Sequence, residues 1–138
     1  MSKLGCILAF AVLAGMPAAA QTAIPDLLGT WKGESESIVL GGGNPHHGST
    51  ETNEPQLRSV PFTLTVDKQD GRRFSGTFSS PRSTEKVLAV ISRSGVIFLA
   101  DDEGYTNGTL LAPNRMELCY LHVSAISRIA SCAELTKQ

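Results

Sequence analysis

The sequence has little excess charge, almost no helical periodicity and no familiar catalytic motif. Its 12 basic and 13 acidic residues nearly balance, whereas a nucleic-acid-binding protein usually has an excess of basic residues on its binding surface. It has no G-x-S-x-G nucleophile elbow and no glycine-rich phosphate loop leading into a helix, which argues against the commonest hydrolase and nucleotide-binding sites. At 138 residues and 41% hydrophobic, the chain is too short for two ordinary domains and too apolar to be disordered.

The N-terminal segment has the three parts of a secretory signal peptide. Lys3 precedes an apolar run, Leu4–Met16, which is followed by small residues at Ala18–Ala20. A run of this length is too short to cross a membrane, which takes about 20 residues. We therefore expect a signal peptide over residues 1–20, a mature domain over 21–138 with no membrane span, and a periplasmic or secreted location.

Removal of Cys6 with the signal peptide leaves two cysteines, Cys119 and Cys132. An even number of cysteines in an oxidising compartment favours one disulfide. The midpoint between them falls within residues 124–127, where a turn is expected, so the two cysteines would lie opposite each other in a hairpin. The alternative is a pair of buried free thiols.

Alternation of apolar and polar residues predicts strands with one buried face. It is clearest in Phe62–Val66 and Phe74–Phe78, and Asp70-Gly71 between them is typical of a hairpin turn. Eight short antiparallel strands in sequence favour closure, because closure removes exposed edges. We therefore predict an all-β protein, a single eight-stranded antiparallel up-and-down barrel with one disulfide. A β-sandwich of the same strands is the alternative. The other predicted strands are Leu28–Leu40, Val87–Ser92, Val96–Ala100, Tyr105–Leu111, Met116–Val123 and Ile129–Leu135.

The interior of an eight-stranded barrel is either filled by side chains or holds one small ligand. Large inward residues favour filling, whereas small inward residues leave room. The residues predicted to face inward are Trp31, Phe62, Leu64, Val66, Phe74, Phe78, Phe98, Met116, Leu118 and Tyr120. The small residues predicted to leave room are Gly76, Gly108, Ala89 and Ala100.

Two segments resemble the calycin barrels, the lipocalins and avidins. Leu28–Gly33, which reads LGTWKG, is similar to their G-x-W start and to exported bacterial proteins that begin GTWKGES; Phe74–Phe78 is similar to an avidin-type inner strand. The resemblance implies a calycin-like barrel in which Trp31 plugs the base and a basic residue near the last strand, Arg128, lies against it. It does not extend to biotin, whose pocket in avidins has several Trp residues, whereas Trp31 is the only one here.

Alternate loops of such a barrel lie at its open mouth, and they carry the candidate binding residues. The mouth loops are predicted at 41–56, 79–84, 101–104 and 123–127. The first is long and glycine-rich, which fits either a lid or a flexible connection. The predicted ligand-binding residues are His46, His47, Tyr105, Tyr120 and His122, the tyrosines because a buried hydroxyl needs a polar partner.

Two functions remain open. The first is an exported binding module for a small apolar or amphipathic ligand held in the mouth under loop 41–56. The second is a protein-interaction module, such as an inhibitor of an envelope hydrolase, with a filled barrel and the loop inserted into its partner. The histidines and the acidic turn Asp101–Glu103 have no ligand spacing typical of a metal site. We expect no enzymatic activity, no cofactor and no metal.

Overall fold

The structure, a computed structural model, describes residues 23–50 and 53–138, so the predicted signal peptide lies outside the described residues. Within that part of the chain no helix has the length and apolarity of a membrane span. The strands are β1 (Gly29–Gly41), β2 (Gln56–Asp70), β3 (Arg73–Ser79), β4 (Thr84–Ile91), β5 (Ile97–Ala100), β6 (Tyr105–Ala112), β7 (Arg115–Val123) and β8 (Ser127–Lys137).

The eight strands close into one antiparallel barrel in sequence order. Strand β1 pairs with β2 through Trp31↔Leu64 and with β8 through Ser37↔Ser131, which closes the sheet. The predicted all-β, up-and-down barrel is therefore confirmed, and the sandwich alternative is wrong. Because consecutive strands run in opposite directions, the loops after β1, β3, β5 and β7 share one end of the barrel, the mouth.

The segment just before β1 and the end of β8 close the opposite end of the barrel, the base. Trp31 is fully buried there, and its indole N–H donates a hydrogen bond to the Leu27 carbonyl (2.9 Å). Leu27 is also fully buried, and its own N–H donates to the Gln69 side chain (2.8 Å). The N-terminal segment thus seals the base with apolar bulk and leaves these polar groups paired.

The basic residue against the tryptophan is Lys137, not Arg128. The Lys137 ammonium lies 5.5 Å from the centre of the Trp31 ring, a cation–π distance. Arg128 is exposed and pairs with Leu40 and Val123 at the mouth end of β8. The prediction of Arg128 was wrong because β8 continues to Lys137, whose register partner is Trp31.

Most predicted inward residues are buried in the lower half of the barrel, but Phe98 is not. Phe98 is 49% exposed, and Ala100 also faces outward, because Ile97 and Leu99 occupy the inner face of β5. Phe78 and Ala89 are partly buried and pack against the core. The buried core consists of Leu27, Trp31, Phe62, Leu64, Val66, Phe74, Val87, Ile91, Ile97, Leu99, Met116, Leu118, Ala133 and Leu135.

The predicted disulfide is present in the last hairpin. Cys119 and Cys132 are direct register partners on β7 and β8, and their sulfur atoms lie 2.07 Å apart. The turn between these strands occupies residues 124–126, as the midpoint of the cysteines predicted.

Candidate functional site

The loop between β1 and β2 folds over the mouth and places a short segment inside the barrel. This segment, Asn44–Gly48, is called the lid here. The Asn44 side-chain oxygen accepts hydrogen bonds from the backbone N–H groups of His46 (3.0 Å) and His47 (2.9 Å). The Gly48 N–H donates to the Asn44 carbonyl (3.0 Å). Since these bonds lie within the lid, it is a self-contained turn.

Glycines flank the lid where the backbone leaves the ordinary regions. Gly41, Gly43 and Gly48 have φ angles of 87°, 87° and 72°, which glycine adopts far more readily than other residues. Gly41 also touches the neighbouring mouth loop between β7 and β8, because a Cβ there would lie 1.9 Å from the Ile126 carbonyl oxygen. The lid is thus attached through positions that only glycine occupies without strain.

The His46 side chain enters the mouth and contacts both polar and aromatic groups. Its Nδ1 lies 2.8 Å from Ser80 Oγ, and its Nε2 lies 3.3 Å from Glu85 Oε2. The edge of its ring meets Phe62 at a centroid distance of 5.4 Å and Phe78 at 6.0 Å. With its side chain 9% exposed, His46 closes the barrel over the two phenylalanines.

The order Ser80, His46, Glu85 resembles a catalytic relay, but its hydroxyl has another role. Ser80 Oγ also accepts hydrogen bonds from the backbone N–H groups of Arg82 (3.2 Å) and Ser83 (3.3 Å). These bonds hold the hydroxyl within its own turn. We assign Ser80 to holding the lid.

His47 enters the mouth beside His46. It is 3% exposed, stacks on Tyr120 at a centroid distance of 6.3 Å, and meets Phe62 edge-on at 5.8 Å. Burial, and then the nearby His46 and Arg58, together lower the pKa of His47 to about 4. His47 is therefore neutral at pH 7, as a ring packed among aromatic side chains has to be.

A buried carboxylate lies beneath the lid. The Glu85 side chain is 9% exposed, and burial raises its pKa. His46 opposes this shift, whereas the carboxylates of Asp101 and Glu103 reinforce it. Asp101 lines the same pocket, so this side of the mouth is acidic.

Tyr120 and His122 lie on the rim and near the pocket, but Tyr105 does not. The Tyr120 hydroxyl lies 3.2 Å from His122 Nδ1 and 3.4 Å from the Asn44 side-chain nitrogen. Burial, and then Asp101, raise the pKa of Tyr120, which stays protonated. Tyr105 is 77% exposed on the outer face, because Thr106 takes the inward position on β6. Its placement in a ligand site was therefore a wrong prediction.

Beneath the lid is a small cavity with mixed walls. It leaves about 30 Å³ for the centres of water-sized molecules, which is room for two or three waters. Its lower wall includes Ser131, whose hydroxyl accepts a hydrogen bond from Ser37 (2.8 Å). The lining residues are His46, His47, Phe62, Phe78, Glu85, Asp101, Thr106, Leu118, Tyr120, Ser131 and Ala133.

Three polar atoms of this cavity lack a hydrogen-bond partner among the described residues: His46 Nε2, His47 Nδ1 and Glu85 Oε2. The first and third lie 3.3 Å apart but are poorly aligned for a hydrogen bond. Buried polar atoms are normally paired, and an unpaired one costs about 1–3 kcal/mol. In residues 23–50 and 53–138, no three His, Cys, Asp or Glu side chains converge closely enough for a metal ion.

Besides Asn44 and Ser80, the sequence prediction missed Glu85 as a site residue. Glu85 is the second residue of β4, in the polar stretch Thr84–Lys86, which looks like loop. A signal was nevertheless available, since Glu85, Val87 and Ile91 are separated by even numbers of residues and so share one face of the strand. No comparable feature of the sequence predicted how deeply His46 and His47 enter the barrel.

Comparisons with known proteins found only distant structural likenesses. No protein-family model and no curated relative matches this chain. It is similar to a protein of unknown function from the DUF3598 family of Nostoc punctiforme, at 15% identity and a TM-score of 0.49 over 91% of this chain and 54% of that one. It is also similar to an S-type phycobiliprotein lyase from Guillardia theta, at 11% identity and a TM-score of 0.38 over 81% of this chain and 88% of that one. This chain spans about half the length of the first protein. At these identities and TM-scores, neither likeness says what this chain binds.

Proposed function

We propose that the mature chain is an exported binding module that holds one small amphipathic ligand in the barrel mouth beneath the lid. The observation that carries this proposal is the set of buried, unpaired polar atoms on His46, His47 and Glu85 beside the rings of Phe62 and Phe78. A ligand with both polar and apolar parts matches both kinds of wall.

The size of the closed cavity requires the lid to move for any ligand larger than a few atoms. The two imidazoles occupy the space directly above Phe62, and the flanking glycines permit the turn to swing as a unit. The lower barrel is filled by its own core, so the mouth is where a ligand binds. Export is proposed from the N-terminal signal pattern and agrees with the disulfide.

Native mass spectrometry of protein purified from the periplasm or medium without denaturation tests this function. Ala133 lines the cavity, and Ala130 on the same strand faces outward. We expect a small organic adduct on the wild type and on Ala130→Phe, and its loss from Ala133→Phe, whose ring fills the cavity. Thermal melts of both variants verify folding. An adduct that persists in folded Ala133→Phe would contradict the proposal. A wild-type protein that carries no adduct and also fails to bind added amphipathic probes would contradict it as well.

The second candidate is a protein-interaction role, favoured by a belt of apolar residues outside the barrel. The belt members are consecutive cross-strand partners, and large exposed apolar patches on soluble proteins mark contact sites. The belt residues are Leu88, Ala100, Tyr105, Leu121, Ala130, Ile38 and Leu57, in register order from β4 to β2. The lid itself does not suit insertion into a partner, since its histidines lie in its own barrel.

Sedimentation velocity over a wide concentration range tests a second copy of this chain as the belt's partner. A dimer that dissociates in Tyr105→Lys with Leu121→Lys would support this role. A monomer at every concentration would remove the second copy as the occupant.

A further inference from the structure

The lid histidine His46 occupies the pocket in the way a bound ligand would. It brings a flat ring against Phe62 and Phe78 and points a nitrogen at the buried carboxylate of Glu85, 3.3 Å away. The ring belongs to a separate turn, which is joined to the barrel through glycines. The group that the closed lid inserts therefore shows which chemistry the pocket accepts.

The charges around that position favour a cation. Glu85 and Asp101 both line the pocket, and Glu103 is close enough for its charge to act on Glu85. One carboxylate oxygen of Asp101 accepts the backbone N–H groups of Glu103 (2.9 Å) and Gly104 (2.8 Å). These bonds hold Asp101 in place at the pocket wall. A cation placed there would satisfy Glu85 Oε2, which has no hydrogen-bond partner among the described residues.

Two positive side chains, Arg58 and Arg82, lie against the lid at Gly48, and neither is among the residues that line the pocket. Arg58 donates hydrogen bonds to the backbone carbonyls of His47 and Ser49 (2.6 Å for the second) and to the Gln56 side chain (2.9 Å). Its guanidinium is thus engaged with the lid backbone rather than with the carboxylates on β4 and the β5–β6 turn. The stacked rings of Phe62 and Phe78, 4.6 Å apart, add a surface that suits both an apolar body and a cation.

We propose that the ligand of this pocket is a small organic amine cation with an aromatic or apolar body. Its ammonium group pairs with Glu85 and Asp101, and its body lies against Phe62 and Phe78 in the place that His46 leaves when the lid opens. The inference rests on the proposed function and narrows it to one ligand class. It also makes His46 an internal competitor of the ligand.

Isothermal titration at neutral pH with three probes of the same shape tests the ligand class. The probes are benzylamine, benzyl alcohol and benzoate, which differ in charge. We expect benzylamine to bind at least tenfold more tightly than the other two. Glu85→Gln keeps the shape of the side chain but removes its charge, and should lower the ratio of benzylamine affinity to benzyl alcohol affinity at least tenfold. Glu117→Gln, on the exposed outer face of β7, is the control and should leave both affinities unchanged.

Removal of the competitor is an independent test. His46→Ala should raise benzylamine affinity, by about tenfold if the lid is closed nine-tenths of the time. Equal or tighter binding of benzyl alcohol or benzoate, blocked by Ala133→Phe, would overturn the amine class and leave the proposed function standing. No binding of any probe to either the wild type or His46→Ala would overturn both.

Discussion

The buried neutral state of His47 predicts that the lid opens more readily in mild acid. A histidine in water has a pKa near 6.5, and burial, His46 and Arg58 lower the pKa of His47 to about 4. An open lid returns His47 to water, so the open state binds the proton more readily than the closed one. The closed lid is therefore fully stabilised above about pH 6.5 and is weakened as the pH falls from 6.5 towards 4.

The size of this effect follows from the two pKa values. At pH 5.5 an exposed histidine is about nine-tenths protonated, whereas the buried ring is almost entirely neutral. Between pH 7.5 and 5.5, linkage favours the open lid by about 1.4 kcal/mol, which is roughly a tenfold change in the opening equilibrium. Glu85 acts in the opposite direction, because its raised pKa favours the closed state as it gains a proton. The His47 effect alone is thus an upper bound, and Glu85→Gln separates the two groups.

Hydrogen exchange of the lid amides measures this opening. The N–H groups of His46 and His47 are bonded to Asn44, so their protection reports lid closure. We expect their protection factors to fall by up to tenfold from pH 7.5 to 5.5, relative to amides in the barrel strands, and no longer to fall in His47→Asn, in which only the opposing effect of Glu85 remains. An NMR titration in which His47 has a pKa near 6.5 would contradict this prediction. So would protection factors of the lid amides that do not change between pH 7.5 and 5.5 in Glu85→Gln.

Three further predictions concern the framework around the pocket. Cys119→Ser with Cys132→Ser should still fold but melt about 5–15 °C lower. The disulfide restricts the unfolded chain, which raises the free energy of unfolding by about 3 kcal/mol before any native strain is subtracted. An unchanged calorimetric midpoint would mean that the barrel already fixes the hairpin. Gly41→Ala should cost about 1–3 kcal/mol in urea unfolding, since a Cβ would meet the Ile126 carbonyl at a positive φ; wild-type stability would contradict the strain. Trp31→Phe should cost at least about 1 kcal/mol through the lost bond to the Leu27 carbonyl, and equal thermal stability would show that this bond is dispensable.

The barrel was predictable because the sequence features that specify it lie within single strands or between strands that are consecutive in the chain. Alternation along β2 and β3, the Asp70-Gly71 turn and the opposed cysteines each specify neighbouring strands, and pairing all consecutive strands leaves β1 and β8 as the two edges that closure removes. Alternation failed where it was absent: all four residues of Ile97–Ala100 are apolar, so the face of Phe98 was undetermined. Only the register with β4 and β6 decides it.

The candidate site was predicted less completely because it depends on contacts between distant segments. The mouth location of His46, His47 and His122 followed from counting loops, but whether the long loop was a lid or a flexible connection stayed open. The structure places it as a lid, because Asn44 organises the turn and Ser80 meets His46 across the mouth. No pattern within the loop itself encodes those partners.

The most direct test of the central claim is a crystal structure of the wild type grown with benzylamine. We expect an amine in the mouth, with its nitrogen within hydrogen-bond distance of Glu85 and its ring against Phe62 and Phe78. We also expect His46 to be displaced together with the lid. A saturating concentration that leaves His46 in place above Phe62, with the amine elsewhere on the surface, would contradict the claim that this pocket is the binding site.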